Sequence, residues 1–169
     1  MKPKQTDHLP YYSYYIDLVE QDEIVDALVE GKKWVSAFIK SVPDSEAEYA
    51  YTDKKWTVKQ VLNHMIDTER ILCYRALCFA RGEKQLLPAF DENTYAANAN
   101  LKNTDFNLLC EEFVAVREAS VLLFKQLGAK ELQIKGTTGL GDVTVLSIGY
   151  MMCGHALHHI KVIQERYLP

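Results

Sequence analysis

Three of the chain's five histidines lie close together near its C-terminus, in the segment Gly154-His155-Ala156-Leu157-His158-His159. His155 and His159 are four residues apart, so on a helix their imidazoles lie one above the other on the same face. Neutral imidazole nitrogens are good ligands for divalent transition metals. His64, in an earlier helical segment, is the natural third ligand, whereas His8 lies in a polar N-terminal stretch. The spacing predicts a three-histidine metal site.

Three histidine ligands without a fourth protein ligand would leave coordination positions open. Open positions are typical of catalytic rather than structural zinc sites. A metal with an open position activates a water molecule near neutral pH, or a thiol from a substrate, by lowering its pKa. Zinc and nickel both suit imidazole ligands, so the ligand set leaves the divalent metal open between these two.

Other features of the histidine segment limit this interpretation. Ala156 follows His155, so the segment lacks the glutamate of the H-E-x-x-H motif and proteolysis is not predicted. A histidine pair at i and i+4 also occurs as hydrogen-bonded core or helix-edge residues without a metal. His158 projects away from the face shared by His155 and His159, toward solvent or a neighbouring helix, and is not counted as a ligand.

A carboxylate interrupts the apolar face of the helical segment that carries His64. Glu69 follows Met65 by four residues and precedes Leu72 by three, which places it within an otherwise apolar stripe. A buried carboxylate has to be paired, hydrogen-bonded or metal-bound. Glu69 therefore either orients a ligand histidine or holds a catalytic proton, or it forms a salt bridge with an arginine such as Arg117 or Arg166.

Four segments carry the 3.6-residue hydrophobic period of amphipathic helices. In the last three segments a threonine is positioned to cap the N-terminus, and a glycine ends the second and the third. The segments are, in order, Asp22 to about Lys40, Thr57 to Gly82, Thr104 to Gly128, and Thr144 to about Leu168.

Four helices of this length in 169 residues, with little strand pattern, predict an all-α fold. The expected architecture is an antiparallel four-helix bundle, with sites built from inward side chains, in a single domain spanning residues 1–169. The connection from Gly82 to Asn103, between the second and third helices, is longer than neighbouring helices need, so it either crosses over the bundle or forms a lid. Glycines between Lys130 and Asp142 indicate turns, with room for a small hairpin.

The bulk composition excludes several classes of function. The formal net charge is −4 and the basic residues are spread along the chain, so no basic stripe is available for nucleic acid. The N-terminus lacks the apolar region of a signal peptide, and the longest nearly apolar run, Val143 to Gly154, is too short to span a bilayer. We expect a soluble, cytoplasmic protein without membrane or nucleic-acid partners. The cysteines form no C-x-x-C pair and are expected to be reduced core residues: Cys73, Cys78, Cys110 and Cys153.

Aromatic and small residues mark places of close packing. In the last helix Gly149 and Gly154 each cost about 1 kcal/mol relative to alanine, which indicates that another helix or a ligand approaches them. A tyrosine cluster before the first predicted helix either lines a pocket mouth or an interface, or packs the leading segment across the bundle. Its members are Tyr11, Tyr12, Tyr14 and Tyr15.

Two segments of the chain together resemble the DinB-like metal-binding four-helix bundles. They are Trp56 to Glu69 (WTVKQVLNHMIDTE) and Gly154 to Ile160 (GHALHHI). The most specific part of the resemblance is the spacing of one histidine early in the second helix with a histidine pair in the fourth. The resemblance covers nearly the whole chain, from the tyrosine-rich segment through all four helices.

The resemblance implies that His64, His155 and His159 hold the metal, with water completing its shell. Many relatives carry an acidic residue where Glu69 stands, without a uniform role. Characterised members of the family include transferases and isomerases that use low-molecular-weight thiols such as bacillithiol or mycothiol, and others are named as hydrolases. Homodimers are common in the family, so the resemblance implies a homodimer that acts on a small-molecule substrate. Since one fold serves many reactions, the substrate is not carried over.

Three kinds of function are compatible with these residues. The leading hypothesis is a metal-dependent enzyme in which His64, His155 and His159 hold zinc or nickel, and an open position activates a thiol or water for transfer or hydrolysis. Glu69 is then the candidate catalytic carboxylate. The second hypothesis is a non-enzymatic stress or binding protein whose metal is structural or sensory. The third is a plain helical scaffold with hydrogen-bonded histidines, which predicts no tightly bound metal.

Overall fold

Residues 1–168, the part of the chain that the computed structural model describes, contain seven α-helices, two three-residue 3-10 helices and one β-hairpin. The four segments predicted from periodicity correspond to α2, α3, α5 and α7. The helices are α1 (Pro10–Asp17), α2 (Ile24–Ser41), α3 (Val58–Ala80), α4 (Glu92–Asn98), α5 (Phe106–Lys125), α6 (Ala129–Leu132) and α7 (Val145–Arg166). The antiparallel hairpin consists of β1 (Lys135–Thr138) and β2 (Gly141–Thr144).

Threonine side chains fix the starts of the two helices that carry the histidines. At α3 the Thr57 hydroxyl accepts a hydrogen bond from the Gln60 N–H at 3.2 Å, and the Gln60 side chain accepts one from the Thr57 N–H at 2.9 Å. This reciprocal capping box satisfies two otherwise unpaired backbone donors. At α7 the Thr144 hydroxyl accepts from the Ser147 N–H at 3.1 Å. Both predicted caps are confirmed.

The bounds of α5 differ slightly from those predicted. Asp105, not Thr104, caps this helix, because its carboxylate accepts from the Asn107 N–H at 2.9 Å. Helix α5 ends at Lys125, and Gly128 precedes the one-turn helix α6 instead of ending α5. The difference does not change which face of α5 is buried.

The four long helices form a bundle in which α3 and α2 each contact both α5 and α7. Helix α3 is antiparallel to α7, since the N-terminal half of α3 shares one apolar cluster with the C-terminal half of α7, and the two other halves share the second cluster. Helices α3 and α5 run in the same direction, because their N-terminal halves share one apolar cluster and their C-terminal halves share another. The chain must therefore return along the bundle between them, which explains the long connection. The predicted four-helix bundle is confirmed.

Buried polar residues separate the two apolar clusters of the core. On α3 the separation falls at Thr68 and Glu69, on α5 at Arg117, and on α7 at His155. All four side chains are at most 6% exposed. The middle of the bundle is thus a polar layer between two apolar ends, and the histidines belong to it.

Helix α1, which periodicity did not predict, packs the tyrosine cluster against α7. It begins with Pro10 at its first position, where a missing N–H is harmless. Its backbone approaches α7 so closely that a Cβ at Gly154 would overlap the Tyr15 carbonyl. Gly149 is similarly enclosed by Phe124 and Ile24. The predicted close approaches at both glycines are confirmed.

The connection between α3 and α5 is tied to the hairpin rather than left free. The Leu87 N–H donates to the Thr137 carbonyl at 3.0 Å, and the Gly139 N–H donates to the Leu87 carbonyl at 2.9 Å. A Cβ at Gly139 would lie 2.9 Å from the Ala89 nitrogen, so the turn requires a residue without a side chain. Within residues 1–168 all four cysteines are unpaired, and no helix is both long enough and apolar enough to cross a bilayer.

Candidate metal centre

The side chains of His64, His155 and His159 meet between α3 and α7. The Nε2 atom of His155 lies 3.0 Å from the Nε2 atoms of both His64 and His159. The three potential ligand atoms all lie within 4.8 Å of one another. Residues 91 and 95 positions apart in sequence are thus brought to one point by the antiparallel packing of two helices.

The spacing of the three nitrogens fits a shared cation better than a hydrogen-bonded trio. Nε2 of His155 carries either one lone pair or one proton, so it cannot make two good hydrogen bonds at once. Zinc–nitrogen bonds of about 2.0–2.1 Å place neighbouring ligand nitrogens about 3.0 Å apart at right angles and about 3.4 Å apart in a tetrahedron. The observed separations of 3.0 Å fall at the short end of that range.

Burial keeps all three imidazoles neutral, as metal ligands must be. Desolvation lowers the pKa of His64 to about 4, although the charge of Glu92 opposes the shift. Desolvation also lowers the pKa values of His155 and His159 well below their usual range, and the neighbouring histidines lower them further. At neutral pH each ring therefore has a free lone pair.

One ring has a hydrogen-bonding partner that fixes its orientation. The Thr68 hydroxyl lies 3.5 Å from Nδ1 of His64, one helical turn further along α3. A partner on Nδ1 leaves Nε2 free to bind a cation and sets the plane of the ring. The Trp56 ring packs against His64 with the ring centroids 4.9 Å apart, and Tyr15 packs against His155 at 5.8 Å.

The histidines open into a cavity of about 320 Å³. Its floor is formed by α3 and α7, and α1 and the connection between α3 and α5 close its sides. Most of its walls are aromatic or apolar, and Arg75 and Glu92 are the charged residues among its lining. The aromatic lining consists of Tyr11, Tyr12, Tyr15, Trp56 and Phe90.

The family of the chain follows from a match to a family model. The model described as the DinB superfamily matches residues 27–163, which include all three histidines. The chain belongs to the DinB superfamily. The resemblance stated from the two sequence segments is confirmed.

Two relatives of this DinB-superfamily chain carry names that refer to metal-dependent hydrolysis. A protein of Oceanobacillus iheyensis named "Putative metal-dependent hydrolase OB0413" is 24% identical over 131 residues, which is 75% of this chain and 73% of that protein. The solved structure of YfiT from Bacillus subtilis, described as a probable metal-dependent hydrolase with an unusual four-helix bundle topology, is 18% identical. It matches with a TM-score of 0.75, over 98% of this chain and 90% of YfiT. At this identity the structural likeness shows the fold.

Glu69 lies beside the site of this DinB-superfamily protein but does not line the cavity. Its two carboxylate oxygens accept hydrogen bonds from Nε and Nη2 of Arg117, both at 2.5 Å. Arg117 is fully buried and also donates to the Met152 carbonyl at 3.4 Å. Of the alternatives left open by the sequence, the structure shows the salt bridge with Arg117. Arg166, the other arginine considered, donates to the Tyr51 hydroxyl instead.

The cavity residues that sequence analysis missed come from the connection and from the far end of α3. Within residues 1–168, Glu92 is the carboxylate that lines the cavity, and Arg75 is its arginine. Glu92 begins a seven-residue helix in a segment without periodicity, so it had no recognisable signal. Arg75 is one of several arginines, and its residue type alone did not distinguish it. The spacing of Arg75 from His64, eleven residues or about three turns, would have placed both on one face of α3.

His158 does not take part in the cluster. Its Nδ1 lies 3.1 Å from the Tyr14 hydroxyl, and its ring packs edge-on against Tyr15 with the centroids 5.5 Å apart. Of the two directions that the sequence left open, solvent or a neighbouring helix, the structure shows a neighbouring helix, α1. His8 is also elsewhere, with Nδ1 2.9 Å from the Leu9 carbonyl.

A second and larger groove lies between α2 and α7. Its volume is about 460 Å³, and its lining includes Glu20, Glu30, Glu165 and the exposed Trp34. None of the three clustered histidines lines it, and among residues 1–168 the histidine trio is the one cluster with the spacing of metal ligands. We therefore place the chemistry in the smaller cavity.

Proposed function

We propose that this DinB-superfamily chain is a metal-dependent hydrolase, and that His64, His155 and His159 hold a divalent transition metal at the wall of the cavity. One observation carries the proposal: three neutral imidazoles converge at the wall of a cavity. The Nε2 atom of His155 lies 3.0 Å from the Nε2 atoms of His64 and His159. The names of the two relatives agree with it. Zinc and nickel are the metals that the ligand set favours.

Three protein ligands would leave coordination positions of the metal open for a substrate or water. A divalent cation held there would act as a Lewis acid and lower the pKa of a water or thiol that reaches it. Thr68 keeps the His64 ring in the orientation that presents Nε2. The aromatic walls exclude bulk water from the apolar body of a substrate.

Glu92 is the carboxylate best placed to accept a proton during the reaction. It lines the same cavity, and its charge acts on both His64 and Tyr15. Glu69 cannot serve in this way without breaking its two hydrogen bonds with Arg117. We therefore assign proton transfer to Glu92 and a structural role to Glu69.

Transfer of a low-molecular-weight thiol is the second reaction that the same open position would support. The cavity of about 320 Å³ has the size of a site for a small molecule rather than for a polymer. We also propose that the chain forms a homodimer, as the family resemblance implies. Light scattering on the purified protein measures the number of chains in solution.

A paired assay tests the proposal and separates the two reactions. The purified protein, loaded with zinc or with nickel, is supplied with aryl esters, and separately with a small thiol and an electrophilic acceptor. We expect turnover of one class by the parent and loss of at least about a hundredfold in kcat/KM in His159→Ala, since the ligand set is broken. The Glu92→Gln variant should bind metal and lose activity.

Two results would contradict the proposal. If metal loading raised the thermal stability but neither class of substrate turned over or bound, the metal would be structural or sensory, as in a non-enzymatic metal-binding protein. If His159→Ala retained the parent's activity, the turnover would arise from another site or a contaminant.

A further inference from the structure

Arg75 is a buried cation in the cavity that lacks an anionic partner. Its side chain reaches the cavity from α3, yet the residue is only 4% exposed. One of its nitrogens, Nη2, donates to the Pro88 carbonyl at 2.6 Å, and its guanidinium lies 5.8 Å from the centre of the Phe90 ring. Its other guanidinium nitrogens, Nε and Nη1, have no hydrogen-bond partner among residues 1–168. They are not among the fully enclosed unpartnered atoms of residues 1–168, so they remain accessible to a ligand.

The part of the chain that the structure describes supplies no carboxylate to neutralise this charge. Among the ion pairs within residues 1–168, none includes Arg75. The phenol of Tyr12 is the group whose charge acts on it, and a phenol is neutral at ordinary pH. Burial lowers the pKa of Arg75, which records how poorly its charge is solvated. Buried charges are normally paired, so an unpaired one in a cavity indicates a missing anion.

The other buried arginine shows what the chain does when an arginine serves only to hold helices together. Arg117 is fully buried as well, and Glu69 neutralises it through two hydrogen bonds. Arg75 differs in having a cavity, rather than a carboxylate, beside it. A planar guanidinium with free donors matches a carboxylate, which accepts two parallel hydrogen bonds.

The charges of the cavity are also separated along its length. Arg75 lies eleven residues after His64 on α3, which corresponds to about 16 Å along the helix axis. Glu92 acts on His64 and Tyr15, and it is absent from the charges that act on Arg75. A negative group on a ligand is therefore repelled by Glu92 near the histidines and attracted by Arg75 at the far end.

We propose that Arg75 forms a carboxylate-binding subsite, and that the ligand of this cavity is a small molecule with an apolar or aromatic body and a terminal carboxylate. The carboxylate binds to the guanidinium of Arg75, beside the Tyr12 ring. The body of the molecule lies against the aromatic walls, and its other end points toward the histidines. This inference rests on the proposed function only in taking the cavity as the substrate site.

The hydrogen bond to Pro88 gives Arg75 a second effect. It attaches the connection between α3 and α5 to the guanidinium that binds the carboxylate. A loss of Arg75 therefore loosens this wall of the cavity as well as removing a charge. The test must separate an effect on the wall from an effect on the anion.

Calorimetric titration with hydrocinnamate and with its amide makes that separation. The two probes have nearly the same shape, but only hydrocinnamate is charged, so a loosened wall affects both and a lost anion site affects one. The metal-free parent protein is used first, because a carboxylate could otherwise bind to the metal. We expect the parent to bind the carboxylate about tenfold or more tightly than the amide.

Three variants then locate the preference. Arg75→Gln should bind the two probes with nearly equal affinity, and Arg75→Lys should keep part of the preference because the charge remains. Arg81→Gln removes the same charge from the exposed end of α3 and should behave like the parent. If Arg75→Gln does not fold, the comparison of probes on the parent and on Arg75→Lys still decides.

Several outcomes would overturn the inference. They are equal binding of the two probes by the parent, no binding of the carboxylate at millimolar concentration, and a carboxylate preference that survives in Arg75→Gln. A preference that appears only after zinc is added would assign the anion to the metal instead. Absence of a bound metal would contradict the proposed function but not this subsite, because the titration uses metal-free protein.

Discussion

Two buried polar clusters share the middle layer of the bundle, and they are built in opposite ways. In the first, Glu69 and Arg117 join α3 and α5 by two hydrogen bonds of 2.5 Å, with both side chains at most 3% exposed. In the second, His64, His155 and His159 lie where α3 meets α7. Their Nε2 atoms face one another, and no carboxylate or backbone group within residues 1–168 forms a hydrogen bond with these atoms. We call the first cluster complete because its two charges neutralise each other, although Nη1 of Arg117 is buried without a hydrogen-bond partner. We call the second cluster incomplete because, among residues 1–168, no group of opposite charge or other partner lies between its three nitrogens.

This contrast separates buried polar groups that stabilise the fold from those that are available to a ligand. A buried pair whose members neutralise each other needs nothing from outside, and removing one member leaves an unpaired charge. Neutral imidazoles directed at one point gain their partner only when a cation binds. The same distinction separates Arg117 from Arg75, and it underlies both of our proposals.

The largest effect on stability should come from breaking the complete cluster. Glu69→Ala leaves the buried Arg117 guanidinium without its carboxylate, and we expect a loss of about 3–5 kcal/mol in the free energy of unfolding. Urea denaturation followed by circular dichroism measures it. The double variant Glu69→Leu with Arg117→Met replaces both charges by apolar groups and should recover most of the loss. An unfolding midpoint for Glu69→Ala equal to that of the parent would remove the contrast between the clusters.

Metal binding to the three histidines should stabilise the folded protein. Zinc or nickel at a hundredfold excess over its dissociation constant should raise the free energy of unfolding of the parent by about 2.7 kcal/mol. The gain should be absent in His159→Ala and should be reversed by a chelator in the parent. Thermal unfolding with and without metal checks this, and an equal gain in both proteins would indicate binding elsewhere.

The close packing of α1 on α7 places Tyr15 beside His155 and depends on the absence of a side chain at Gly154. Gly154→Ala forces a Cβ into the Tyr15 backbone, and we expect it to lower the free energy of unfolding by about 1–3 kcal/mol. Gly149→Ala is the matched control on the same helix. Its neighbours are the side chains of Ile24 and Phe124, which can shift, while the gain in helix propensity of about 1 kcal/mol is the same.

Denaturation curves for the two variants decide between backbone and side-chain clashes. Equal stabilities of Gly154→Ala and Gly149→Ala would mean that the wall of the cavity formed by α1 yields as easily as a side chain does.

The smallest effect should come from the support of one ligand. Thr68→Val removes the hydroxyl beside Nδ1 of His64 and keeps the shape of the side chain. Because this contact is long at 3.5 Å, we expect metal affinity to fall by about tenfold, at the low end for such partners. Thr68→Ser retains the hydroxyl and should bind like the parent. Competition with a chromogenic chelator measures both affinities.

The sequence predicted the frame of this molecule well because helix periodicity and caps are local signals. The apolar stripe of α7 and the caps Thr57 and Thr144 lie where they were predicted. His155 and His159 could be paired because their i, i+4 spacing on α7 places them on one face. Their convergence with His64 required the antiparallel contact of α3 and α7, which only the structure shows.

The rest depended on contacts between distant parts of the chain. The choice between a catalytic Glu69 and a salt bridge was undecidable in sequence, because Arg117 lies on another helix 48 residues away. Helix α1 is only eight residues long, which is too short for a clear periodic signal. Its position depends on the close approach of its backbone to Gly154. Glu92 reaches the cavity because the connection returns along the bundle, which follows from the parallel course of α3 and α5.

The metal content per chain shows whether the incomplete cluster is a metal site. The protein is purified without a metal-binding tag, and bound transition metals are counted by mass spectrometry in the parent, in His155→Ala and in His158→Ala. The account predicts about one zinc or nickel ion per chain in the parent and in His158→Ala, and none in His155→Ala. Parent protein that holds no metal after reconstitution, or His155→Ala that holds as much as the parent, would contradict it.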